Sequence, residues 1–135
     1  SIYTFTTPHL DTGLLSIYTG LGAETEQKAL DLIVRELHRF CEDGPTPDEL
    51  SRCREQVKTT LLMGLESTGT RMMTIGRSEL LRGQVAVVEQ VLASYDKVTA
   101  EDLLQLARRV FDFEQVSLAV VGQPDREETY RALLQ

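Results

Sequence analysis

Histidine and cysteine are both scarce in this sequence. The only histidines, His9 and His38, have no carboxylate or thiol at the spacing of a zinc motif, although Glu42 is four residues from His38. The two cysteines, Cys41 and Cys53, make no disulfide framework. Both fall on apolar helix faces, so we expect buried free thiols and a reducing compartment.

The sequence also lacks a phosphate loop, a long apolar run and an excess of basic residues. Gly20–Gly22 stands between a strand pattern and a helix pattern, but it has neither the third glycine nor the lysine of a phosphate loop. No run approaches the ~18 apolar residues of a membrane span. The 14 basic and 21 acidic residues give a net charge of −7. We therefore expect neither nucleic acid nor a membrane as a partner, because either would need a basic patch.

The length and composition are those of one globular domain. The chain has 135 residues, of which 41% are hydrophobic, and a chain of this size buries enough surface to fold without staples. Its opening, SIYTFTTPHLD, lacks the basic and apolar regions of a signal peptide, and there is no initiator methionine. We expect a single domain over residues 1–135 that is a fragment of a larger protein.

Strand patterns occur at both ends of the sequence. Ser1–Thr7 and Gly13–Thr19 are rich in β-branched and aromatic residues, and the Pro, Asp and Gly between them predict a hairpin. Val116–Gly122 is apolar on both sides of its alternation, which is typical of a central strand. These segments predict a small, mainly antiparallel sheet of three strands.

Helical patterns fill the region between the strands and follow the last of them. Gly44 is placed to end the first helix, and the segments TPDE and TAED, starting at Thr46 and Thr99, predict capping boxes that begin the second and the fifth. Further helices are predicted over Thr70–Arg82, about Val87–Tyr95 and Arg126–Leu134. The expected fold is α+β, with five to six helices packed on the three-stranded sheet.

The segment LLMGLESTGTRMMTIGRSELLRG, residues 61–83, contains glycines where a helix would be continuous. Gly64 and Gly69 each cost about 1 kcal/mol inside a helix, which favours a break between two helices. Ser67 or Thr68 can cap the second helix.

Glu66 and Arg71 flank this break five residues apart, a spacing that does not match one helix face. We expect them to clamp the helix junction, and a role in a substrate cleft is the alternative. Gly76 would allow another helix to approach closely, and Gly83 would end the helix. Glu66, Ser67, Arg71, Gly76 and Gly83 form the structural signature of the chain.

Several segments carry a family resemblance. The pattern ELxRxxxQxKxxLLMxLES…R…GRxEL…G runs from Glu49 to Gly83, VTAEDLLQLARRVF follows at the correct distance, and GLLSIYTGLG and VSLAVVGQP flank them. Together they closely resemble the insulinase/pitrilysin superfamily of zinc metallopeptidases, in the branch of bacterial proteins similar to mitochondrial processing peptidase. The resemblance covers Gly13 to Pro124.

The resemblance implies that zinc is bound in the N-terminal domain of the parent protein. There an H-x-x-E-H motif supplies two ligands and a general base, and a further Glu is the third ligand. None of these residues occurs here, so the resemblance implies no catalytic, metal or substrate-binding residue and no cofactor in this chain. The C-terminal domain of the family repeats the catalytic one without zinc. It contributes an Arg and a Tyr to substrate binding in a segment resembling R-E-x-x-G-L-A-Y, and the residues that follow this segment resemble S-I-Y. Because this chain begins SIY, we expect it to start just after that tyrosine, which Tyr3 does not replace.

The expected function is that of the C-terminal substrate-chamber region of a zinc-dependent metalloendopeptidase, bacterial and cytoplasmic. Its expected partners are the N-terminal half of the same protein and a peptide or unfolded protein substrate. A proteolytically inactive partner or scaffold subunit of the same family is the alternative, and an unrelated helical interaction module is the third hypothesis. We also expect the fragment to self-associate, because Ser1–Thr7 would belong to a larger sheet whose other strands lie upstream.

Overall fold

The predicted hairpin is present in the structure, a computed structural model that describes residues 1–134. Strand β1, Ile2–Pro8, pairs antiparallel with β2, Gly13–Thr19. The turn is closed by the N–H of His9, which donates to the carbonyl of Thr12 at 2.9 Å. The β-branched and aromatic residues therefore form the ladder that their sequence predicts.

Helices make up most of the remaining structure. Within the described residues there are six α-helices: α1 (Glu26–Asp43), α2 (Pro47–Gly64), α3 (Thr68–Arg82), α4 (Val88–Lys97), α5 (Ala100–Val110) and α6 (Glu127–Leu133). Short 3-10 turns lie at Ala23–Thr25 and Phe113–Gln115. The predicted α+β class and the predicted helices are confirmed.

The described chain divides into two compact units. The first comprises residues 1–43 together with 104–134, and the second comprises Gly44–Leu103. The apolar core belongs to the first unit. Its buried apolar side chains, each 5–8% exposed, are Leu30 and Val34 on α1, Ala107 on α5 and Tyr130 on α6. Leu30 and Val34 are four residues apart, so they share the face that α1 buries.

Polar bonds join α2 to the end of α4 in the second unit. The guanidinium of Arg54, on α2, donates to the carbonyl of Tyr95 at 3.1 Å and to that of Val98 at 2.8 Å. Lys58, one turn further along α2, pairs with Asp96 at 2.5 Å. None of the unit's apolar side chains within the described residues reaches the burial of Leu30 or Val34. Arg54 therefore gives donors to carbonyls that the end of α4 leaves free.

Both predicted capping boxes are confirmed. The N–H of Glu49 donates to Thr46 Oγ1 at 3.3 Å, and the Glu49 carboxylate accepts the N–H of Thr46 at 2.8 Å. At α5 the N–H of Asp102 donates to Thr99 Oγ1 at 3.1 Å, while Asp102 Oδ2 accepts from the N–H of Thr99 at 2.8 Å. Each box gives partners to backbone donors that the first turn of a helix cannot satisfy.

The predicted third strand is wrong for this chain. Within residues 1–134 the sheet has two strands, and Val116–Gly122 pairs with neither. An apolar segment becomes a strand only where another strand accepts its backbone hydrogen bonds and other elements cover its faces. Here its side chains stay in contact with solvent, and Val121 is 100% exposed.

The α5 capping box predicts a pH dependence of stability. Because the hydroxyl and the N–H of Thr99 donate to its carboxylate, the pKa of Asp102 lies below its ordinary value of 3.8. A carboxyl group whose pKa is lowered by folding stabilises the folded state. This stabilisation is fully present when the pH is above the ordinary pKa of the group, and it is lost as the pH falls through the folded-state pKa. We expect Asp102→Asn to lower the free energy of unfolding at pH 7, and the difference from wild type to shrink below about pH 4.

Urea unfolding at pH 7, 5 and 3 measures this difference. Asp11→Asn is the control, because Asp11 lies in the hairpin loop and caps no helix. A difference between wild type and Asp102→Asn that stays constant with pH would contradict the assignment.

Candidate functional site

The junction between α2 and α3 has the break that its glycines predict. Helix α2 ends at Gly64 and α3 begins at Thr68. Ser67 has an extended backbone, and its Oγ accepts the N–H of Thr70 at 3.3 Å. Of the two predicted caps, Ser67 is therefore the N-cap of α3. Its hydroxyl accepts a backbone N–H that has no acceptor within the first turn of the helix.

The expected clamp between Glu66 and Arg71 does not form in this structure. Among residues 1–134 no ion pair or hydrogen bond joins their side chains, and both are exposed. Two exposed charges gain little from pairing, because water screens their attraction and the pair would lose side-chain entropy. The break therefore rests on the Ser67 cap and the glycines.

The two signature glycines, Gly76 inside α3 and Gly83 after its last residue, have different roles. Gly83 caps α3 in the left-handed conformation, with φ 68°, and its N–H donates to the carbonyl of Glu79 at 2.8 Å. This confirms the predicted helix end. Gly76 lies inside α3, and a Cβ built there would meet nothing within 4 Å. The close helix approach expected at Gly76 is therefore absent from the described chain.

Ser78 organises the chain after α3 and was not predicted from the sequence. It is 9% exposed, its Oγ donates to the carbonyl of Gln84 at 2.8 Å, and it accepts the N–H of Ala86 at 3.1 Å. One hydroxyl thus bonds the chain on the far side of Gly83. A serine inside a helical pattern gives no sequence signal of this contact, because the partners are set by the turn that follows.

A polar cleft of about 450 Å³ in the first unit is a second candidate site. Its lining includes the carboxylates of Glu24, Glu26 and Asp125. Tyr130 donates its hydroxyl proton to Glu26 Oε1 at 2.6 Å and accepts the N–H of Asp125 at 2.7 Å. Gln27 donates to Asp125 Oδ2 at 2.8 Å. Two of the three carboxylates are therefore engaged within the protein.

The bond from Tyr130 to Glu26 links α6 to the start of α1. The carboxylate of Glu26 accepts the phenolic proton, and with burial it raises the pKa of Tyr130 above its ordinary value of 10.0. The phenol therefore stays neutral at physiological pH and acts as a donor. The two residues are 104 positions apart, so no local pattern could have predicted the pair.

The residues of this chain do not fit a zinc site. No group of three His, Cys, Asp or Glu side chains that could hold a metal ion occurs within residues 1–134. The ring of His38 stacks on Phe113, with centroids 4.1 Å apart, and His9 is exposed in the hairpin loop.

The burial expected for the cysteines is only partly met. Cys41 is half-buried and Cys53 is exposed. Cys53 lies on α2, none of whose side chains within the described residues is fully buried.

Gly76 inside α3 and Gly83 at its C-terminal cap give a matched prediction. A Cβ finds open space at both, so an alanine acts only through the backbone. Gly76→Ala should raise the free energy of unfolding by about 0.5–1 kcal/mol, because alanine restricts the unfolded chain and favours helix. Gly83→Ala should lower it by about 1 kcal/mol, because a left-handed conformation strains any residue with a Cβ.

Denaturant unfolding of both variants checks the two signs, with Gly83→Asn as the milder control, since asparagine tolerates the left-handed region. A destabilising Gly76→Ala would show that another element does pack against this face of α3.

Comparison with known proteins shows which family and which proteins this chain is similar to. Residues 1–57 match the family described as the peptidase M16 inactive domain. An uncharacterized zinc protease of Bacillus subtilis is 34% identical over 122 residues, covering 90% of this chain and 30% of that protein. An uncharacterized zinc protease of Streptomyces coelicolor is 35% identical, with 90% and 26% covered. The beta subunit of the mitochondrial-processing peptidase of Saccharomyces cerevisiae is 27% identical, with 90% and 27% covered.

This chain thus spans less than a third of the length of these relatives. Among the helices of the described residues, none is long and apolar enough to cross a membrane. The matched segments include the GLLSIYTGLG stretch within residues 1–57, and the relatives are named as zinc proteases and as a processing peptidase. The family match and these relatives together support an insulinase-family C-terminal fragment, of the kind named peptidase M16.

Proposed function

We propose that this chain forms part of the substrate chamber in the C-terminal domain of a zinc-dependent metalloendopeptidase that hydrolyses peptide bonds. The observation that carries the proposal is the match of 90% of the chain to proteins named as zinc proteases. In this proposal the zinc and the general base are held by an H-x-x-E-H motif in the N-terminal domain of a longer protein. The bacterial relatives support a bacterial protein, and we place it in the cytoplasm.

In this proposal the chain contributes a binding surface and no catalytic group. Its first unit exposes large apolar side chains on the hairpin, with Ile2 at 61% and Leu14 at 62%. Helix α3 of the second unit exposes Met72 at 65% and Leu80 at 85%. Apolar exposure of this extent is typical of surfaces that another protein segment covers. The partners that fit are the N-terminal half of the same protein and a peptide or unfolded protein substrate.

Glu66 and Arg71 fit the substrate-cleft role better than the clamp role. Both side chains are exposed at the junction of α2 and α3, and neither bonds to the other. Their charges are therefore available to polar groups of a bound peptide, where a charged hydrogen bond is stronger than a neutral one.

A proteolytically inactive partner or scaffold subunit is the second candidate function. The family description that matches residues 1–57 is that of an inactive domain. Relatives of this chain are also named as alpha and as beta subunits of a mitochondrial-processing peptidase. A longer protein without an H-x-x-E-H motif would fit this function.

Zinc content and peptide cleavage separate these functions. We expect the longer protein to bind zinc and to cleave a quenched fluorogenic peptide in a chelator-sensitive way, because its H-x-x-E-H motif supplies the ligands and the base. The chain alone should do neither. The matched control is the longer protein with the motif glutamate changed to glutamine, which should keep zinc and lose cleavage.

Elemental analysis and a peptidase assay with and without chelator provide both readouts. Stoichiometric zinc or chelator-sensitive cleavage by the chain alone would overturn the chamber proposal. A longer protein that has neither zinc nor activity would instead select the inactive subunit.

A further inference from the structure

Helix α6 is too short to be stable without contacts to other elements. It has seven residues, and isolated helices shorter than about 12 residues are marginal in water. The ion pair between Arg131 and Glu127 is exposed at both side chains, so it adds little. Tyr130 is instead 8% exposed and bonds to α1. The stability of α6 therefore depends on its attachment to α1.

The hydroxyl group of Tyr130 is at the centre of this attachment. It donates to Glu26 Oε1 at 2.6 Å and accepts the N–H of Asp125 at 2.7 Å. Glu26 is the first residue of α1, and Asp125 lies just before α6. Gln27 adds a direct bond, from its side-chain amide to Asp125 Oδ2 at 2.8 Å. Two of these three bonds have a carboxylate acceptor, which makes them stronger than neutral hydrogen bonds.

The polar cleft lies between the two segments that these bonds join. One side of the cleft comes from residues 23–27, at the start of α1, and the other comes from residues 123–125, before α6. The bond between Gln27 and Asp125 runs directly from one side to the other, and Tyr130 bridges Glu26 to Asp125. The width of the cleft therefore depends on whether these bonds are made.

Gly122 immediately precedes the second side of the cleft. Its φ is 140°, a backbone conformation that residues with a Cβ rarely adopt. A Cβ built there would meet nothing within 4 Å, so the glycine is needed for its backbone conformation and not for space. A residue without a Cβ can also change its φ over a wide range at low cost. Gly122 is therefore suited to act as a hinge for the chain that follows it.

We infer that residues 123–133 form a strap, which pivots at Gly122 and is latched to the start of α1 by the hydroxyl of Tyr130. When the latch is closed, the cleft has the width seen in the structure. When it opens, the two sides of the cleft separate, and the carboxylates of Glu26 and Asp125 lose the partners that link them. Helix α6 loses its attachment at the same time. The opening is therefore a local unfolding event, which needs less free energy than unfolding of the whole unit.

Amide hydrogen exchange of the whole chain at low urea concentrations tests the strap. Amides of α6 should exchange through an opening that depends weakly on urea, because it exposes little surface. Amides in the middle of α1 should exchange through an opening that depends strongly on urea, because they require the unit to unfold. Tyr130→Phe keeps the ring and removes the hydroxyl. This variant should speed exchange in α6 by about tenfold or more, since a hydrogen bond to a charged acceptor is lost.

Gly122→Ala provides a second variant that acts on the same opening. The latched position needs a φ near 140° at this residue, and an alanine is strained at positive φ. Gly122→Ala should therefore also speed exchange in α6, although it leaves every bond of Tyr130 available. Circular dichroism shows whether each variant keeps its other helices.

The matched control is Ala107→Gly, which removes a buried methyl group on α5 and lies outside the strap. It should speed exchange in α1, because the unit unfolds more readily, and leave exchange in α6 unchanged. The proposal is overturned if α6 and α1 show the same urea dependence in the wild-type chain. It is also overturned if Tyr130→Phe leaves exchange in α6 unchanged, or if Ala107→Gly speeds exchange in α6 as much as in α1, because α6 would then open only with the rest of the unit.

Discussion

The shortage of buried apolar surface constrains everything else in this chain. Only four apolar side chains of the described residues are buried, and all belong to the unit that contains the hairpin, α1 and α6. Burial of apolar area is the main term that offsets the entropy lost when a chain folds. Many large apolar residues remain exposed, including Ile2 and Phe5 of β1 and Met72 and Leu80 of α3. The chain has the composition of a globular domain without the core to match it.

Bonds at helix ends take over part of the role of a core. Arg54 donates to the carbonyls that end α4, and Arg108 donates to those of Cys41 and Glu42 at the end of α1. At the end of α3, Ser78 donates to the carbonyl of Gln84 and the N–H of Gly83 donates to that of Glu79. Each contact satisfies a backbone group that a helix terminus leaves free, so it fixes where elements end more than it fills space. The apolar faces stay available to partners, which is what a wall of a substrate chamber requires.

Local features of this fold could be predicted from the sequence, and long-range features could not. The Thr46 and Thr99 capping boxes, the hairpin turn and the stop at Gly83 depend on residues within a few positions of each other. The Val116–Gly122 strand failed because strand formation needs a partner that the described chain does not supply. The Glu66–Arg71 clamp failed because a plausible spacing does not bring two solvated charges together. Contacts such as Tyr130 with Glu26 or Arg54 with Val98 join distant parts of the sequence, and no local pattern predicts them.

Amide hydrogen exchange over residues 116–121 tests the central claim, that the rest of a longer protein covers the apolar surface left open here. This segment pairs with no strand in the described chain and its side chains are exposed. Its amides should exchange rapidly in the chain alone, at a concentration where it is monomeric, and should be strongly protected in the longer protein, where strand pairing gives each N–H an acceptor. Rapid exchange in both proteins, or equal protection in both, would contradict the account.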